Sequence, residues 1–123
     1  MKFLKERMND YMKSFDMHFK NDMLNLAMFD LEQYVQLYLK QKLYDLVGEF
    51  PKTHSIRKLL REIGKIKNRE KEVEDFIARN SIYISDLELA YIASRYMDKE
   101  YSKEEVLEIK KFLHKLKNFI EEL

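Results

Sequence analysis

The chain has 123 residues, 46% of them apolar and 37% charged, with no Cys, two Gly and one Pro. That length suits one domain, able to bury about two-thirds of its unfolded surface, and so few turn-forming residues exclude most β architectures and point to an all-α protein. The net charge of +1 divides unevenly: residues 52–71 carry eight Lys/Arg against two Asp/Glu, and the flanking segments are slightly acidic. Such a basic stretch attracts phosphate or an acidic partner when its cations are clustered, and merely keeps a surface solvated when they are not. Without Cys there are no disulfides or thiolate metal sites, which fits a reducing, cytoplasmic location. No apolar run approaches the roughly eighteen residues of a membrane span. The start, Met1 to Arg7, is charged in every turn and lacks the pattern of a signal peptide.

The first predicted helix covers residues 2–19, with Leu4, Met8, Tyr11, Phe15 and Phe19 on one face. Asn21 or Asp22 is the expected cap of a long second helix. There Leu24, Met28, Leu31, Val35 and Tyr38 recur at spacings of three and four, as one apolar stripe of a 3.6-residue helix demands. Gln33, Gln36 and Lys40 form a polar line beside it. Gly48 is suited to close this helix in the left-handed conformation, and Pro51 stops its continuation. Thr53 or Ser55 caps a short third helix with Ile56, Leu59, Leu60 and Ile63 inward, ending near Gly64, with Lys65 to Lys71 in a loop.

Residues 70–79 are helical by pattern, and Asn80 and Ser81 break the run. Ser85-Asp86-Leu87-Glu88 and Ser102-Lys103-Glu104-Glu105 both read as capping boxes, in which Ser accepts from the amide three residues on and Glu reaches back. The second opens a last helix carrying Val106, Ile109, Leu113, Leu116, Ile120 and Leu123. These elements predict a single domain over 1–123, an up-down four-helix bundle with one or two additional short helices. Eight Tyr, among them Tyr34, Tyr38, Tyr44, Tyr91 and Tyr96, bring hydroxyls that need partners if buried, and an interface between copies would supply them.

Four patterns occur in order along the chain. Phe29, Gln33, Gln36 and Lys40 resemble F-x-x-x-Q-x-x-E-x-x-x-K, with Gln36 where Glu is usual. Gly48, Pro51, Thr53, His54, Leu59 and Leu60 fit G-x-x-P-x-T-H-x-x-x-x-L-L. Ala90, Tyr91, Arg95 and Tyr96 fit A-Y-x-x-x-R-Y, and Tyr101, Ser102, Glu104 and Glu105 fit Y-S-x-E-E. From about residue 22 to the end, the chain resembles the HEPN family, the "higher eukaryotes and prokaryotes nucleotide-binding" domain, in its small stand-alone prokaryotic form. The resemblance implies a HEPN-like helical bundle, commonly paired as a homodimer and associated with nucleotides or RNA. It also implies a small nucleotidyltransferase as partner, in toxin–antitoxin pairs or as two halves of one enzyme.

Ribonucleases of that family carry R-x(4–6)-H, in which Arg stabilises phosphate charge and His exchanges a proton. Here the next His after Arg95 is His114, nineteen residues on, and Arg7 precedes His18 by eleven. No catalytic residue is therefore assigned, and enzymatic activity is left open. The three His, His18, His54 and His114, have no second ligand type at metal spacing, and no glycine-rich phosphate loop exists, so neither metal nor cofactor is expected. The candidate ligand-binding residues are Gln33, Lys40, His54, Arg57, Arg95 and Tyr96. Arg supplies a planar fork and Lys a point charge for phosphate, and Tyr a stacking face for a base. Three functions fit: a binding module partnered with a nucleotidyltransferase, an RNA-cleaving toxin with a non-standard site built on His54, Arg57 and Arg95, or an interaction-only domain.

Overall fold

The computed structural model describes all of residues 1–123. It contains six helices and no strand: α1 (Lys2–Lys20), α2 (Leu24–Val47), α3 (Ile56–Lys67), α4 (Glu70–Arg79), α5 (Ser81–Tyr96) and α6 (Lys103–Glu122). Four are long and two, α3 and α4, are short, as the periodicity predicts. Helix α2 is the axis of the bundle. It packs against α1, α3, α5 and α6, and twelve of its residues are buried. That is why its sequence is apolar nearly all round rather than along one stripe.

Met28, Leu31 and Val35 of the predicted α2 stripe are at most 1% exposed, and Ile56, Leu59, Leu60 and Ile63 of α3 equally so. Polar ties fix the helices around this core. His18 Nδ1 lies 2.6 Å from Asp30 Oδ2, joining α1 to α2. Lys117 Nζ donates to the Tyr34 hydroxyl at 2.9 Å, and the Tyr38 hydroxyl donates to Glu121 at 2.8 Å, joining α6 to α2. These two tyrosines thus find their partners inside the chain, and no second copy is needed to satisfy them.

Gly48 ends α2 with φ 78°, and its amide donates to Tyr44. Ser55 caps α3 by accepting from the Lys58 amide, and Ser102 with Glu105 forms a complete capping box on α6. Other expectations are corrected. Neither Asn21 nor Asp22 caps α2, whose N-cap is Met23 without a side-chain bond. Asn21 instead donates to Met17 O, closing α1, and Asp22 takes the left-handed conformation (φ 58°) and pairs with Lys103.

Gly64 does not end α3, which runs on to Lys67 and closes at Asn68 in the left-handed conformation. Gly64 is buried because Val73 of α4 packs onto it: a Cβ there would sit 2.9 Å from Val73 Cγ2. Lys65, Lys67, Arg69 and Lys71 are consequently not in a loop but at the end of α3, the cap and the first turn of α4. Ser85 and Glu88 form no capping box, because α5 already begins at Ser81, one residue after α4. The break at Asn80 is confined to that residue, which is buried and bonds back to Phe76 O.

Candidate functional site

The polar line on α2 contains one residue that the sequence reading passed over. Glu32 is fully buried. Its carboxylate accepts from Gln33 Nε2 at 2.7 Å and from Gln36 Nε2. A carboxylate inside a core is costly unless bonded, and these two amides offset part of that cost. Burial still dominates and pushes Glu32 up to about 7, while the fields of Lys40 and Arg95 act in the opposite sense. Glu32, Gln36 and Lys40 lie at successive spacings of four on one helix face, so the signal for Glu32 was present in the same line that revealed its neighbours. The carboxyl group that the usual pattern places at position 36 is here supplied one turn earlier, hydrogen-bonded to Gln36.

Lys40 stands two turns further along α2, half-buried, with Nζ 5.9 Å from the centre of the Phe50 ring. Burial holds its ammonium below the ordinary lysine range, against the pull of Glu32. Phe50 belongs to the loop between α2 and α3, which Gly48 and Pro51 set in place. The same loop carries His54. Its ring stacks on Tyr91 of α5 at 4.4 Å between centres, and the Tyr91 hydroxyl lies 3.1 Å from His54 Nε2.

Arg95 follows Tyr91 by one turn of α5. Its guanidinium carbon sits 4.9 Å from the Tyr91 ring centre and 5.2 Å from that of Phe29 on α2. The group is exposed and makes no ion pair, but aromatic faces from two helices hold it. Tyr96 is next to it and 79% exposed. Gln33 is thus bonded to Glu32, on which the fields of Lys40 and Arg95 act, and Tyr91 touches both His54 and Arg95. Tyr91 and Phe29 were recognisable only as parts of patterns, and their work here is to seat Arg95 and His54.

Arg57 is placed differently. It pairs with Glu88 and donates to Ser85 Oγ at 2.9 Å and to Ser81 O at 3.3 Å. Glu88 in turn accepts from the Ser55 hydroxyl at 3.1 Å. The guanidinium is therefore committed to binding α3 to α5, and it braces the loop that carries His54. In the basic segment, Arg61 pairs with Glu74, Arg69 with Glu72, and Lys67 donates to Leu123 O. Lys52, Lys58 and Lys65 have no such partner.

An all-helical bundle with a buried carboxylate on its central helix, acted on by the fields of two cations, and aromatic rings from α2 and α5 around one of those cations, defines the class: a small helical module with polar groups on its second and fifth helices. A family model, HEPN domain, matches residues 1–123, so the chain belongs to the HEPN family. At family level this makes it a nucleotide- or RNA-associated module of a kind that often dimerises. No curated protein and no solved structure matches it. No helix is long and apolar enough to cross a membrane.

Proposed function

We propose that the chain binds a nucleotide or the phosphorylated end of an RNA at the face formed by Lys40, Arg95 and His54. In this reading it acts in the cytoplasm as a homodimer beside a small nucleotidyltransferase, in a toxin–antitoxin-like or two-component system. The observation that carries the reading is the state of the two cations. Lys40 and Arg95 both act on buried Glu32, yet neither forms an ion pair, so a ligand phosphate need displace no salt bridge to reach them. Arg95 presents a fork and Lys40 a point charge. Gln33 adds hydrogen-bonding capacity and Tyr96 an exposed ring for a base. Arg57 serves the ligand indirectly, by fixing the His54 loop through Glu88.

The nucleotidyltransferase partner is what the resemblance to small stand-alone HEPN domains implies, and the missing Arg–His spacing of the ribonucleases is compatible with it. The test compares AMP binding across variants. Arg95→Gln and Lys40→Gln should each weaken it about tenfold, as loss of a charge-assisted contact does, and Lys67→Gln by less than about twofold. Equal losses at the three positions would mean diffuse attraction and no pocket.

One observation favours a second reading, an RNA-cleaving toxin with a non-standard site. Tyr91 brings His54 and Arg95 to one place in space although the sequence separates them. An Arg near a reacting phosphate and a His able to move a proton are the two groups such cleavage needs. In the first reading, purified protein cleaves RNA no faster than a His54→Ala/Arg95→Ala variant. Metal-free cleavage lost in that variant would establish the second.

A further inference from the structure

The α2–α3 loop and one side of α3 enclose an open groove of about 540 Å³ lined by Pro51, Lys52, Thr53, Lys58, Arg61, Glu62 and Lys65. Its cations are of two kinds. Arg61 is neutralised by Glu74 at 2.6 Å, whereas Lys52, Lys58 and Lys65 are exposed and unpaired. Glu62 is the only carboxylate in the lining, so the groove keeps a clear positive excess. The next residue after Thr53 is His54, stacked on Tyr91. The groove is therefore joined through His54 and Tyr91 to the residues around Arg95.

We propose that this groove takes the phosphodiester backbone of a single-stranded polynucleotide, so that the ligand of the neighbouring face is the end of a strand rather than a free mononucleotide. The inference rests on the reading that the Lys40–Arg95–His54 face receives a nucleotide, and it names the class of molecule that brings it. Two features select a polynucleotide. The lining has charge and hydrogen-bond donors but no large apolar or aromatic side chain, and protein partners are held chiefly by such anchors. A nucleic-acid backbone needs no such anchors, being held by cations and hydrogen-bond donors along its phosphates. The spacing also fits. Lys58 and Lys65 are seven residues apart on one helix, roughly 10 Å along its axis, the rise of about three stacked nucleotides. The exposed Tyr96 ring, next to Arg95 in the chain, offers a flat partner for a base at the strand end.

The experiment measures binding of a fluorescent oligouridylate of about eight nucleotides as salt is varied, with AMP and poly-glutamate as separate probes. Two variants remove equal charge: Lys52→Gln/Lys58→Gln/Lys65→Gln in the groove, and Lys5→Gln/Lys13→Gln/Lys20→Gln on α1. All six side chains are exposed, so both variants should fold. Three phosphate contacts predict a log–log salt slope of about −2 for wild type. The groove variant should lose about tenfold or more in oligouridylate affinity and most of that slope, while the α1 variant stays within about twofold.

Equal losses in the two variants would overturn the groove, as would the absence of oligouridylate binding by wild type. Poly-glutamate bound as tightly as the oligonucleotide would overturn the assignment to nucleic acid. The AMP arm reports on the neighbouring face separately. AMP binding indifferent to Arg95→Gln would remove that face and leave the groove standing on its own result.

Discussion

Glu32 is a buried side chain tied to the residues of the proposed face: it is bonded to Gln33, and the fields of Lys40 and Arg95 act on it. Its raised pKa has a definite sign for stability. Between about 4.5, where the unfolded chain releases this proton, and about 7, the folded protein binds more protons than the unfolded one. Stability therefore falls as pH rises through that window, by roughly 3 kcal/mol from this residue. Asp30, also raised by burial, contributes in the same sense, so the informative quantity is a difference between variants. Glu32→Gln keeps the shape and an acceptor oxygen for a neighbouring amide. Urea denaturation across pH 4–8 should show wild type losing stability relative to this variant toward neutral pH, and parallel profiles would mean that Glu32 binds its proton equally well in the folded and unfolded chains.

The meeting of α3 and α4 is where sequence reading and structure diverge most usefully. Gly64 reads as a stop signal, but it is a point of contact, with Val73 occupying the space a side chain would need. Gly64→Ala should improve helix propensity by about 1 kcal/mol and cost about 1–3 kcal/mol in crowding against a stiff, β-branched neighbour. A net loss near 1 kcal/mol is expected by thermal or chemical denaturation. In a Val73→Ala background the loss should shrink, because the methyl at 2.9 Å is gone and only the residue-73 Cβ, at 3.1 Å, still crowds the new side chain. A loss of equal size in both backgrounds would locate the strain elsewhere.

The two capping-box patterns make the same point from the other side. Ser102 follows a non-helical stretch and caps α6 as its pattern predicts, whereas Ser85 lies inside a helix that began four residues earlier, and its hydroxyl serves Arg57. Local pattern identifies a cap only when the preceding residues leave the helical conformation, and here that depends on how α4 meets α5. For the same reason the core positions of α2, α3 and α6 were legible from their periodicity. The burial of Glu32 was not, because it depends on α2 being covered on several sides at once. Nor was the seat of Arg95, since Phe29 and Tyr91 are far apart in the chain and meet only in the fold.

At the scale of the whole molecule, the case for a homodimer shifts to different residues. The hydroxyls of Tyr34, Tyr38 and Tyr91 are all engaged within the chain. Among the apolar side chains left exposed, Ile92 (48% exposed), Tyr96 and Met97 (50% exposed) fall together at the end of α5, next to Arg95. Pairing with a second copy at this end of α5 would cover them. Sedimentation at micromolar concentration should give about twice the 15.1 kDa of the chain, and Ile92→Glu should shift it to the monomer. A wild-type monomer throughout that range would refute the pairing.

The ties that hold α1 and α6 to α2 differ greatly in the length of chain they close. His18 and Asp30 are twelve residues apart, whereas Tyr34 and Lys117 are separated by eighty-three. Closing the longer loop costs about 2 kcal/mol more in chain entropy. On this ground the hairpin of α1 and α2 is expected to organise first and α6 to dock last, once α3, α4 and α5 have shortened the path back. Substitutions in its seam of Val106, Ile109, Leu113 and Leu116 should then speed unfolding more than they slow folding, which would make the last helix a latch on the lifetime of the fold.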